Sequence, residues 1–182
     1  RGGGHPAACG GARSRVRAAG ILVSIALALA LQTTLARFVV SGTAALDLVL
    51  VVVVYVALTT GPGTGMLTGS VAGLIQDSLT SGGIIGIGGL AKSIVGFLAG
   101  VIGQQFIVTA ALPRFVMFLA ATAVHSAVFM GLYVVLGIRD FPSPYAAVAS
   151  QALGNAVVGM IAFTIVEALP GVMERRRVRR RL

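Results

Sequence analysis

The sequence predicts an all-α integral membrane protein, a compact bundle of six transmembrane helices, and three observations carry that prediction. Of 182 residues, 57% are hydrophobic and 10% are charged, against about 25% charged in an ordinary soluble domain. The mean hydropathy is +0.97. Apolar runs of span length recur along the chain, separated by Gly- and Pro-bearing breaks. Each span takes about 20 largely apolar residues, so the chain holds six with short loops and leaves almost nothing for a separate water-soluble domain.

Span 1 is expected from about Ala18 to Ala36, too long and too poorly punctuated for a removed signal peptide. Span 2 is expected from about Ala45 to Thr60 and contains the run Leu48 to Val54. Its β-branched residues are poor helix formers in water, but a bilayer forces the backbone to satisfy itself, so it reads as helix. Gly61-Pro62-Gly63 breaks the chain, and span 3 follows from about Thr64 to Leu79. The Gly-rich stretch Ser81 to Gly89 turns it back into span 4, about Leu90 to Phe106. Pro113 marks the start of span 5 through Leu136, and Phe141-Pro142-Ser143-Pro144 leads into span 6, about Tyr145 to Leu169. Pro170-Gly171 ends it.

Charge placement orients the bundle. Arg1, Arg13, Arg15 and Arg17 precede the first apolar run, and Arg175, Arg176, Arg177, Arg179, Arg180 and Arg181 follow the last. By the positive-inside rule both termini are cytoplasmic, which requires an even number of spans. Residues 1–17 are thus read as a basic disordered tail, 18–170 as the transmembrane domain, and 171–182 as a polybasic tail. A net charge of +9 would suggest nucleic acid in a soluble protein. Here the arginine tail directly follows a span, so anionic lipid is the nearer partner, at about 1 kcal/mol per basic residue, and nucleic acid is not expected. Cys9 is the single cysteine, so no intrachain disulfide forms.

Inside the spans, Gly65, Gly69, Gly73 and Asp77 recur every four residues along one face of span 3, and Lys92, Gly96 and Gly100 along span 4. Small residues at this spacing let helices approach closely where lipid removes the hydrophobic drive. Packing of span 3 on span 4 is the expectation, with a homo-oligomeric contact on the same stripe as the alternative. Asp77 and Lys92 face each other across a short hairpin at similar depth and are expected to pair, because intramembrane charges are usually paired or line a polar cavity. His125 in span 5, with Gln151 and Asn155 four apart on span 6, is expected to form a polar seam of interhelical hydrogen bonds. His125 has no nearby Cys, His or carboxylate in sequence, so a metal site is not expected. Glu167, near the inner end of span 6, is expected to be neutralised by solvent or by the arginine tail.

Gly86-Ile87-Gly88-Gly89-Leu90-Ala91-Lys92-Ser93 nearly spells a phosphate loop and also satisfies G-x-G-x-x-A. Both motifs need a preceding strand in a βαβ unit, and hydropathy places none here, so no nucleotide or other cofactor is expected. No Ser/His/Asp or Cys/His arrangement, carboxylate pair or metal cluster supports catalysis, and the chain reads as no enzyme.

Leu46 through Phe106 resembles the bacterial rod shape-determining family MreD. The resemblance is carried by Asp47-Leu48, by Tyr55, by Gly65-x-x-x-Gly69-x-x-x-Gly73-Leu74-Ile75-x-Asp77, and by Gly86-x-x-Gly89-Leu90-x-Lys92-x-x-x-Gly96, with Gln32 and Asn155 also fitting. Spans 5 and 6 match mainly in hydropathy, and the Gly/Arg-rich front end departs from the family pattern. The resemblance implies a non-enzymatic scaffold of the rod complex (elongasome) in the bacterial inner membrane, binding MreC. Through it the protein would couple MreB filaments to the RodA glycosyltransferase and its penicillin-binding transpeptidase, directing side-wall peptidoglycan synthesis. It also implies a fold similar to the six-helix substrate-binding component of energy-coupling-factor vitamin transporters. That likeness supplies the alternative, a transporter subunit that captures a small vitamin-type molecule.

Overall fold

The computed structural model of the chain describes residues 8–38, 46–80, 84–105, 110–138, 140–141 and 144–168. Six helices follow in order: α1 (Ala8–Phe38), α2 (Leu48–Thr60), α3 (Pro62–Leu79), α4 (Ile87–Gln105), α5 (Ala111–Val135) and α6 (Tyr145–Ala168). Their ends are set by the residues that cap or break them. Asp47 accepts a hydrogen bond from the Leu50 amide at 2.9 Å, so α2 starts at Leu48 and not at the expected Ala45. Gly61 has a φ of 104°, a backbone state that glycine reaches without strain, and Pro62 opens α3, where its missing N–H costs nothing.

Two expectations need correction. α1 begins at Ala8, so the part of the predicted disordered tail from Ala8 to Arg17 is helical. Ala and Arg are good helix formers, and extending a helix that is already nucleated is cheap. Helix α4 begins three residues before Leu90, because the Asp77 carboxylate gathers the amides that open it.

Among the described residues, four helices are long and apolar enough to cross a membrane: α1, α4, α5 and α6. This makes the protein a multi-pass helical membrane protein. The apolar α2 has only 13 residues, about 20 Å of helix against a hydrocarbon core of about 30 Å. The 18 residues of α3 are interrupted by glycine and by polar side chains. Neither meets the same criterion.

The short α2 touches all five other helices, and Val49, Val53, Val54 and Ala57 on it have no exposed surface. Around it lie two apolar clusters. One joins α2 to Phe118, Ala156 and Phe163 of α5 and α6, and the other joins it to Ile25, Ala28 and Leu29 of α1.

The closest helix contact is between α3 and α4. A Cβ added at Gly69 would meet the Lys92 carbonyl, one at Gly73 the Gly89 backbone, and one at Gly100 the Pro62 backbone, while Gly65 and Gly96 would each strike the other's carbonyl oxygen. These five glycines therefore set the distance between the two helices. Ser70 and Ser93 hydroxyls bond across the same seam at 2.6 Å.

Candidate functional site

At one end of the bundle, the C-terminal ends of α1, α3 and α5 meet the N-terminal ends of α2, α4 and α6. A helix start leaves amides without intrahelical partners, and side chains answer them here. The Asp47 amide donates to Asn155 Oδ1 at 2.9 Å, and the Leu48 amide donates to Gln32 Oε1 at 3.1 Å. Asn155 Nδ2 in turn donates to Thr122 Oγ1 at 3.2 Å. The start of α2 is thus tied to α1, α5 and α6.

Asp47 also carries the cluster's charge. Its Oδ2 lies 2.7 Å from Lys92 Nζ, and the two side chains are only 6% and 3% exposed. His125 Nε2 stands 3.5 Å from the same Nζ and 3.6 Å from Asp47 Oδ2. Lys92 therefore links α4 to α2 and α5. An isolated charge in the middle of a span costs about 2.5 to 3.5 kcal/mol on insertion scales, which explains why the ammonium and carboxylate meet directly.

The expected Asp77–Lys92 pair does not form. Asp77 Oδ2 accepts instead from the amides of Gly86 at 2.9 Å, Gly88 at 3.0 Å and Gly89 at 3.3 Å. A carboxylate at a helix N-terminus is favoured by these free donors and by the helix dipole. With Asp77 so engaged, Lys92 turns to the carboxylate buried on its other side. Gly86, with a φ of 111°, makes the turn that aims its amide at Asp77.

The predicted polar seam is only partly assembled. Asn155 and His125 both reach the Asp47 cluster, by separate bonds. Gln151 lines, together with Asp47, Lys92 and His125, a cavity of about 280 Å³ whose wall also includes Gln32, Gln76 and Tyr133. Tyr133 Oη accepts from the Ile84 amide at 3.3 Å. Among the described residues, the two buried side-chain polar atoms without a hydrogen bond are Gln76 Oε1 and His125 Nδ1. Such an atom costs about 1 to 3 kcal/mol.

At the opposite end, Glu167 finds a partner that the sequence did not disclose. Arg114 Nη1 and Nη2 donate to its two carboxylate oxygens at 2.9 and 2.7 Å, and the guanidinium lies 4.2 Å from the Phe163 ring centroid. The bidentate fork fixes α5 to α6, so neither solvent nor the arginine tail is needed. Residues Arg175 to Arg181, expected to meet anionic lipid, lie outside the described residues.

Sequence reasoning missed Asp47 as the partner of Lys92 and missed Thr122 entirely. An Asp just before an apolar run is a helix-start signal, which was available for Asp47. Nothing marks Thr122. Among the described residues, no three His, Cys, Asp or Glu side chains gather as a metal site would require.

No curated protein and no solved structure matched the chain. The family model of the rod shape-determining protein MreD matches residues 14–170, a stretch that takes in both ion pairs, the glycine seam and every residue of the polar cluster. The chain belongs to the MreD family of rod shape-determining proteins.

Proposed function

We propose that this protein is a non-enzymatic scaffold of the rod complex, holding six spans in the bacterial inner membrane with both termini in the cytoplasm. It binds MreC, and through MreC it helps couple MreB filaments to RodA and a penicillin-binding transpeptidase during side-wall peptidoglycan synthesis. The observation that carries this reading is the family match across residues 14–170, which ties the chain to rod shape. The geometry supports a scaffold, because the charged groups of the cluster are engaged in holding helices together. Asp47 caps α2 and neutralises Lys92, and Asp77 caps α4. Large apolar side chains such as Leu67, Leu90 and Phe97 are exposed on α3 and α4, faces that meet either lipid or a partner's transmembrane helix.

The test is co-purification of the tagged protein from its native bacterium in mild detergent, with mass spectrometry of the proteins retained. Recovery of MreC with RodA is the expected result. Recovery of an energy-coupling membrane subunit with paired ATPases would overturn the scaffold in favour of a transporter. In this orientation the Asp47–Lys92 cluster lies toward the outer face and Arg114–Glu167 toward the cytoplasm. Reporter fusions in the segment between α3 and α4 are expected to register outside, and fusions between α2 and α3 inside.

A further inference from the structure

Helices α1 and α6 each pack on α2 but not on each other, and a groove lies open between them. Val51 and Val56 of α2 form its buried floor. Gly20, Ile21 and Ser24 line the α1 side, and Ala162 and Val166 the α6 side. A Cβ added at Gly20 would meet nothing within 4 Å, so this glycine, unlike the five of the α3–α4 seam, borders open space and not a backbone. The hydroxyls along the groove are already engaged on their own helices. Ser24 Oγ donates to the Gly20 carbonyl at 2.8 Å, Thr59 Oγ1 to that of Tyr55 at 2.9 Å and Thr60 Oγ1 to that of Val56 at 2.7 Å. The body of the groove therefore suits an apolar occupant.

Its mouth carries a cation. Arg17 borders the groove in the first turn of the apolar stretch Arg15–Thr34, is exposed, and forms no ion pair with another described residue. Glu167, the neighbour of Val166, is already held by Arg114. A guanidinium at the edge of a span stands at headgroup depth, where its fork of donors matches a phosphate. Size narrows the occupant further. The groove holds about 550 Å³, roughly eighteen waters' share of the liquid and enough for one acyl chain. A transmembrane helix, about 10 Å across with its side chains and about 30 Å long, is several times larger.

We propose that the α1–α6 groove holds one acyl chain of an anionic phospholipid whose phosphate binds Arg17. The site goes beyond the scaffold reading and does not rest on it. MreC recovery tests that reading, and lipid retention tests this one.

The experiment titrates the full chain, purified in mild detergent, with dioleoylphosphatidylglycerol and with dioleoylglycerol, which has the same chains and no phosphate. Binding is read by native mass spectrometry. A saturable first lipid is expected, with phosphatidylglycerol held about fivefold or more tightly than dioleoylglycerol. Arg17→Gln should remove most of that preference. Gly20→Trp, which fills the groove without touching a charge, should abolish the saturable step for both lipids. Should Gly20→Trp fail to fold, Arg17→Gln decides. The proposal is overturned by the absence of a saturable step, by an unchanged preference in Arg17→Gln, or by undiminished binding in folded Gly20→Trp, which would put the lipid elsewhere, as on the arginine tail. A dimer that Gly20→Trp dissociates would also overturn it, since a second copy of the chain would then fill the groove.

Discussion

The two ion pairs stand at opposite ends of the bundle and differ in what surrounds them. Asp47 and Lys92 are almost wholly enclosed, at 6% and 3% exposure, and meet through a single close contact reinforced by a helix cap and a histidine. Arg114 and Glu167 meet through a two-bond fork, with Glu167 still 26% exposed. The first pair joins three helices through charges that have no access to another solvent. The second clasps two neighbouring helices and keeps some of its solvation. Breaking the enclosed pair should therefore cost more, although the less enclosed pair has the better hydrogen-bond geometry.

The largest expected effect follows from removing one member of the enclosed pair. Lys92→Met leaves Asp47 buried and unpaired, and Asp47→Leu does the same to Lys92. Either should destabilise by about 3 to 5 kcal/mol, read as a lower melting temperature in detergent and lower yield in the membrane. The double variant Asp47→Leu/Lys92→Met should regain most of that loss, because replacing both charges by apolar groups is often nearly neutral. What stays lost is the cap on α2, about 1 kcal/mol.

Next comes the glycine seam. Gly69→Leu drives a side chain into the Lys92 backbone, and overpacking of this kind costs about 1 to 3 kcal/mol. Because it displaces the residue that holds Asp47, its effect should be less than additive with Lys92→Met. Strict additivity would show that the seam and the ion pair are independent.

Glu167→Gln keeps the shape of the inner clasp and removes its charge. A loss of roughly 1 to 2 kcal/mol is expected, and added salt should diminish the parent's advantage over this variant. A loss as large as that of Lys92→Met would erase the distinction between the two ends. The smallest effect belongs to Asp77→Asn, which keeps an acceptor for the α4 amides and gives up only the charge at the helix start, about 0.3 to 1 kcal/mol.

The helices themselves were legible because hydropathy and Gly/Pro breaks mark them locally, and α2 to α6 lie within three residues of the expected spans, while α1 starts ten residues earlier. The helix starts were less so. They depend on side chains that cap, and the reach of Asp77 to the amides of Gly86, Gly88 and Gly89 shows only once the turn is folded. The cluster was legible in part: Lys92, His125 and Asn155 stand out as polar residues in apolar runs. Their partners were hidden by distance along the chain. Asp47 meets Asn155 across a separation of 108 residues, and Arg114 meets Glu167 across 53. Proximity in the hairpin favoured Asp77 for Lys92, whereas the rotation of α4 about its own axis, set by the glycine contacts with α3, turns Lys92 toward α2 and α5.

The most direct test of the claim that Asp47 and Lys92 pin the bundle is a pair of double-mutant cycles read as melting free energies in one detergent. One cycle uses Asp47→Asn with Lys92→Met, the other Asp77→Asn with Lys92→Met. A coupling of about 1 to 3 kcal/mol is predicted between Asp47 and Lys92, with none above about 0.5 kcal/mol between Asp77 and Lys92. Coupling concentrated in the second cycle, or absent from the first, would contradict the account.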